Sequence, residues 1–327
     1  MLKDFSFESR LAPYMKGLVD EKRALGYQYN SEGYLLKRFD DYWKTQEGHW
    51  GTTITRESLE GWYQQKESEC RQSRDNRVGA VKELALYIRS LGYEAYVPNR
   101  IYRKEKKVPR LFSDEEVCAF FQAVDGHSPK NNASNYQRLA VEYKVLFRLI
   151  YCLGLRRSEA CGLRCHDIDF KNSVVTIYHT KGNKDRLVYM TEDVCRLCME
   201  YLEGLCGVLG FEPYWFFPGR VAEQHVSMVR VDAKFREFWQ ESTQGRAAGK
   251  TPTLHCFRHK FVEKRMDIWM KEGKNLSAMM PYLSRHLGHK GSIETIYYYH
   301  AQKESFHSVR KKDTLSEYVI PEEVNDR

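Results

Sequence analysis

The chain has 327 residues, 42% of them hydrophobic, enough for two domains of ordinary size with sizeable cores. Lys and Arg number 52 against 44 Asp and Glu, and the resulting net charge of +8 favours an anionic partner such as nucleic acid or a membrane surface. There is no run of about 18 apolar residues to cross a membrane, the opening MLKDFSFESRLAPY lacks the apolar stretch of a secretory signal, and nine cysteines scattered from Cys70 to Cys256 read as reduced thiols rather than a disulfide framework.

Residues 8 to 96 read as a bundle of four short helices. Leu11, Met15, Leu18, Val19 and Leu25 form one apolar stripe, and Leu35, Phe39, Tyr42 and Trp43 a second. Helical patterns follow at about 55 to 65 and at 75 to 91, the latter carrying Val81, Leu84, Ile88 and Leu91. Gly26, Gly51 and Gly92 punctuate them. The next stretch, PNRIYRKEKKVPR from Pro98 to Arg110, sets Arg100, Arg103, Lys104, Lys106, Lys107 and Arg110 against Glu105 alone. It is either a solvated tether or a strap lying on phosphates, where each neutralised phosphate releases counterions.

Ser113-Asp114-Glu115-Glu116 is a capping box that opens a new helix and a second domain. A long helix is expected from about Tyr136 to Leu153, with Leu139, Tyr143, Leu146, Ile150 and Leu153 on one side. VVTIYHT and RLVYM then flank a turn at Lys181 to Lys184, the pattern of a β-hairpin. The remainder, from Thr191 to Val309, again looks helical. Cys195 and Cys198 form a C-x-x-C pair, but Val194, Leu197, Cys198, Tyr201, Leu202 and Leu205 recur at helical spacing, so a core helix is expected there and no metal site.

Three polar clusters interrupt this apolar pattern. Arg156 ends the run LFRLIYCLGL, where a charge is costly unless paired, and Glu159 lies three residues on. In TLHCFRHKF, Thr253 can cap a helix after Pro252, which sets His255 and Arg258 at i and i+3 near a helix N-terminus that suits an anion. His289 follows Leu287-Gly288, a tight helix ending, and Tyr298 comes nine residues later within Tyr297-Tyr298-Tyr299. At about 100° per helical residue, at most one of these three hydroxyls faces a site. Arginine forks bind phosphodiester oxygens, tyrosine is a nucleophile at phosphorus, and lysine or histidine protonates a leaving oxygen. No carboxylate cluster for two-metal catalysis and no nucleotide-binding G-x-x-x-x-G-K-[ST] loop is present.

These motifs, GLRRSE at 154 to 159, TKGNKDR at 180 to 186, HCFRH at 255 to 259, LGH at 287 to 289 and TIYYYH at 295 to 300, resemble in order and spacing those of the tyrosine recombinase, or phage integrase, family. The likeness spans about Val108 to His300; Cys256 and Phe257 stand where Asp and Leu are common, and His286 adds an imidazole before LGH. The resemblance implies a mainly α fold with a small antiparallel β-sheet. It places a four-helix, SAM-like core-binding domain over residues 1–97, a basic linker over 98–110 and an α+β catalytic domain over 111–300. The tail 301–327 would pack on its own domain or dock on a neighbouring subunit.

The resemblance also implies roles. Tyr298 is the expected nucleophile, Arg156 and Arg258 stabilise charge on the phosphate, and Lys181 protonates the leaving 5′-oxygen, with Lys184 its rival within the turn. His255 assists Tyr298 or holds the phosphate, His289 hydrogen-bonds a nonbridging oxygen, and Glu159 orients its neighbours. Arg100, Arg103, Lys104, Lys106, Lys107 and Arg110 are expected DNA contacts. The implied activity is site-specific breaking and rejoining of double-stranded DNA by a homotetramer on two sites, a monomer or dimer when free. It would need no metal, ATP or other cofactor, and would work in the cytoplasm on nucleoid DNA. A type IB topoisomerase and a non-catalytic DNA-binding relative are the alternatives.

Overall fold

The computed structural model describes residues 2–67, 69–99, 110–129, 133–178, 185–243, 251–289 and 291. The chain divides into two compact units, Met1–Lys106 and Lys107–Arg327.

In the first unit, α1 (Ala12–Ala24) has a proline in its first turn, where no N–H is needed, and buries Met15, Leu18 and Val19 beside Leu11. The helix ends one residue short of Leu25, the last member of the expected stripe. Leu25 lies past the helix end and is exposed, because Gly26 turns the chain with a φ of 87°. Helix α2 (Asn30–Lys44) buries Leu36, Phe39 and Trp43, whereas Leu35 and Tyr42 are only half-buried. It also buries the Asp40 carboxylate, which accepts the backbone N–H groups of Glu8 and Ser9 at 2.9 Å and so ties the N-terminal segment to the bundle.

A one-turn helix, α3 (Glu47–Trp50), was not anticipated. The helix expected over 55 to 65 is a 3-10 turn at Glu57–Leu59 followed by the single turn α4 (Glu60–Tyr63). There Thr55 and Ser58 exchange side-chain bonds with each other's backbone N–H groups, at 2.9 and 3.1 Å, the reciprocal pattern that starts a helical turn. Helix α5 (Arg71–Ser90) closes the unit by burying Val81, Leu84 and Ile88 against α1 and α2, while Leu91 is exposed beyond its end.

In the second unit the capping box forms as expected: Ser113 Oγ accepts the Glu116 N–H at 3.1 Å, and Glu116 accepts the Ser113 N–H at 3.0 Å. It opens α6 (Asp114–Asp125). Helix α7 (Ser134–Leu153) carries the expected stripe, but Val145, Phe147 and Leu149 are buried as well. Its buried face is wider than one stripe because α6, α9 (Glu192–Leu209) and α11 (His255–Lys271) all pack on it. After the short α8 (Arg157–Cys161), β1 (Ile168–Asp169), β2 (Val174–Ile177) and β3 (Arg186–Tyr189) form an antiparallel sheet in that order. Val175 opposes Val188 in the β2–β3 hairpin, and both are fully buried. Strand β1, only two residues long, escaped the periodicity.

Phe112, Phe120, Phe147, Phe257 and Phe235 and Phe238 of α10 (Met228–Glu241) form the aromatic centre of this unit. A smaller core of Phe261, Val262, Met266, Trp269, Met280, Leu283 and Leu287 seats α12 (Leu276–Leu287) on α11. Cys198 lies in the core face of α9, where burial pushes its thiol up to about 12. The fold is mainly α with a small antiparallel sheet. Among the described residues, no helix is long and apolar enough to cross a membrane.

Candidate active site

Four helix ends build the site. Helix α7 stops at Gly154, whose φ of 61° is the left-handed turn glycine permits. A Cβ there would lie 2.6 Å from the Phe261 ring, so glycine is also required for α11 to pack close. The chain reverses and Arg156 becomes the N-cap of α8. Glu159, at the third helical position, accepts the Arg156 backbone N–H at 2.8 Å and its Nη1 at 2.7 Å. The pair anticipated from spacing is therefore made, and it is made inside a helix start.

At the beginning of α11, His255 and Arg258 stand one turn apart as expected. The cap is Leu254 rather than Thr253, whose carbonyl accepts the Cys256 N–H at 2.9 Å while its hydroxyl sits 3.6 Å from Cys256 Sγ. Arg258 is no surface residue: it is 1% exposed. Its Nη1 donates to the Gly154 carbonyl at 2.7 Å, and its Nη2 donates to the Leu287 carbonyl and lies 3.2 Å from His289 Nε2.

At the end of α12, Gly288 adopts φ 64°, and the His289 N–H returns to the Ser284 carbonyl at 2.9 Å. Arg156 Nη2 donates to the Gly288 carbonyl at 3.3 Å. The two arginines thus hold consecutive carbonyls, Leu287 and Gly288, where α12 presents its negative dipole end.

Electrostatics follow from this geometry. Burial would raise the Glu159 pKa, but hydrogen bonds and charge from Arg186, together with both Arg156 bonds, hold it at about 2. His289 is lowered to about 3 by burial and then by Arg258, Arg156 and Arg186. Its ring is therefore neutral at pH 7. Because a guanidinium only donates, Nε2 accepts from Arg258 and the ring proton lies on Nδ1. His255 presents its ring to solvent from the wall of a cleft of about 370 Å³, shared with Arg157, Asp232 and Arg236. The protein packed around that cleft, followed by Arg258 and Arg156, lowers it to about 4.

Two residues that sequence reasoning passed over belong here. His259 stacks edge-on against His255, ring centres 4.5 Å apart, and braces it. Arg186, within the quoted TKGNKDR motif but given no role, is buried and forks onto both Glu159 oxygens at 2.9 and 2.7 Å. The available signal was strand alternation. In R-L-V-Y the inward positions are Arg186 and Val188, and a charge facing inward needs a partner. His286, anticipated as an additional imidazole near the site, borders it, but its ring is engaged elsewhere: its Nε2 lies 2.9 Å from the Leu153 carbonyl, and its ring stacks on Phe261. Arg110, an expected DNA contact, pairs with Glu116 at 2.5 Å and lies over the Trp239 ring. Tyr298, Lys181, Lys184, Arg100, Arg103, Lys104, Lys106 and Lys107 lie outside the described residues.

The site gathers guanidiniums and neutral imidazoles around helix ends, the chemistry of a tetrahedral oxyanion site. A model described as the phage integrase family matches residues 130–305. The Sinorhizobium fredii protein y4rB, whose name marks it as an inferred integrase/recombinase, is 28% identical over 235 residues, covering 68% of this chain and 72% of that one. The tyrosine recombinase XerC of Halalkalibacterium halodurans is 26% identical over 205 residues, 62% of each chain. Among solved structures, the XerH site-specific recombinase bound to its difH substrate in a pre-cleavage complex shares the fold, with a TM-score of 0.61 and 17% identity over 89% of this chain and 78% of that one.

Proposed function

Because this chain belongs to the phage integrase family, that of the tyrosine recombinases, we propose that it breaks and rejoins duplex DNA at specific sites through a covalent 3′-phosphotyrosyl intermediate. The observation that carries this reading is the anchoring of Arg156 and Arg258 on the consecutive carbonyls of Leu287 and Gly288, with His289 held against Arg258.

The Tyr298 oxygen attacks the scissile phosphorus, and the bond from phosphorus to the 5′-oxygen breaks. Arg156 and Arg258 take up the charge on the nonbridging oxygens, preset by their carbonyl anchors so that little reorganisation is needed. The Nδ1–H of His289 is its donor to that phosphate. Lys181 protonates the leaving 5′-oxygen, and His255, neutral at pH 7, accepts the tyrosine proton. Bond energy stays in the phosphotyrosine, so religation by the 5′-hydroxyl of a partner strand requires no ATP. Residues 1–97 grip the duplex as a core-binding domain, residues 111–300 carry the chemistry, and strand exchange takes four protomers on two duplexes.

The test is a nicked suicide duplex that traps covalent protein–DNA adduct. The native chain should form the adduct, also in excess EDTA. Tyr298→Phe should bind the duplex normally and form none, while Phe at position 297 or 299 leaves the adduct intact. An adduct from Tyr298→Phe overturns the assignment of the nucleophile.

A further inference from the structure

Arg186 stands behind the groups that would meet the phosphate, yet it joins Arg156, Glu159 and the turn that carries His289. It opens β3 at the inward position opposite Ile177 of β2. Its Nη1 and Nη2 occupy both oxygens of Glu159 at 2.9 and 2.7 Å, and its Nε donates to the His286 carbonyl at 2.7 Å. The same two carboxylate oxygens hold the side chain and backbone of Arg156. A Cβ on Gly288 would meet Arg186 Cδ and Nη1 at 3.2 Å, so this guanidinium also lies against the turn that presents His289. The side chains of Arg186 and Glu159 are 4% and 6% exposed, so water does not replace either partner.

We propose that Arg186 is a positioning residue for strand cleavage, acting through Glu159 on Arg156 and through the 286–288 backbone on His289. The inference rests on the reading of the site as a tyrosine recombinase centre. The physical reason is specific to arginine. Only a planar fork with a third donor satisfies both carboxylate oxygens and a backbone carbonyl at once; lysine keeps the charge but offers a point donor. Without the fork, Glu159 keeps only its bonds to Arg156, its carboxylate plane is no longer fixed from β3, and Arg156 is aimed less firmly. A displacement of about 1 Å in such a group costs on the order of a hundredfold in rate.

The experiment measures single-turnover adduct formation and DNA affinity for the native chain, Arg186→Lys, Arg186→Gln, Glu159→Gln and the Arg186→Gln/Glu159→Gln double variant. Arg186→Lys should cleave roughly a hundredfold more slowly with unchanged affinity for the duplex. In the cycle, the double variant should be no slower than the slower single variant, because both changes break one linkage. Arg186→Gln should also shift the acid limb of cleavage to higher pH, since burial then raises the Glu159 pKa with less opposition. A residue that only stabilises the fold would lower the melting temperature and leave that limb in place. Where Arg186→Gln does not fold, Arg186→Lys carries the rate test. Native cleavage with a native-like rate for Arg186→Lys, or additive effects in the cycle, overturns the proposal. Absence of adduct from the native chain strikes instead at the recombinase reading.

Discussion

Gly288 meets two constraints at one position, and they can be separated. Its φ of 64° penalises any side chain, by about 1–2 kcal/mol for a left-handed residue. Its missing Cβ also leaves room for Arg186 at 3.2 Å. Gly210 at the end of α9 shares the first constraint, with φ 76°, but an added Cβ there meets nothing within 4 Å. Gly288→Ala and Gly210→Ala should therefore lose comparable stability in denaturant titrations, while Gly288→Ala alone loses adduct formation. Equal cleavage by both variants would show that contact with Arg186 is immaterial. Arg156, Glu159, His255, Arg258 and His289 could be named from the sequence because each falls in one of five motifs whose order resembles a known family; local spacing alone did not single them out. Arg186 was given no role, since its partners Glu159 and His286 are 27 and 100 residues away.

Among the elements, α6 shows how a local signal positions a long-range one. Its capping box forms from four consecutive residues, and the first helical residue, Asp114, then pairs with Lys260 at 3.0 Å and with Lys264, both on α11. Ser113→Ala should cost about 1 kcal/mol of stability, the usual value of such a cap, seen as a lower denaturant midpoint at unchanged slope. No loss would mean that the Glu116–Arg110 pair alone holds the helix start. The stretch 55 to 65 is helical as expected, but only over residues 57–63 and in two short turns. The reciprocal Thr55–Ser58 bonds start those turns, and burial of Leu59 and Trp62 anchors them.

At the scale of the whole molecule, the proposed function makes the basic segment 98–110 a source of DNA affinity. Changing Lys104, Lys106 and Lys107 to Ala should weaken binding to all duplexes alike and flatten the log–log salt dependence by roughly 0.9 for each phosphate no longer neutralised. Arg110→Ala should behave differently, because that guanidinium already serves Glu116 and Trp239. It should lower the stability of the second unit and leave the salt slope close to native. A slope unchanged in the triple variant would make the segment a tether.

What the sequence by itself determined is the local inventory. It places the Ser113 cap, the long α7, the hairpin strands and the glycine-ended helices, and it orders five motifs that name a family. These follow from spacings of a few residues, where helix and strand periods act directly. Only the tertiary structure decided that Arg258 is buried, that the His286 ring stacks on Phe261 while His289 meets Arg258, and that Arg186 finds its carboxylate 27 residues away on another element. The physical reason is that a buried charge is tolerable only beside its partner, and that partner is chosen by how helix ends and a strand edge come together in space.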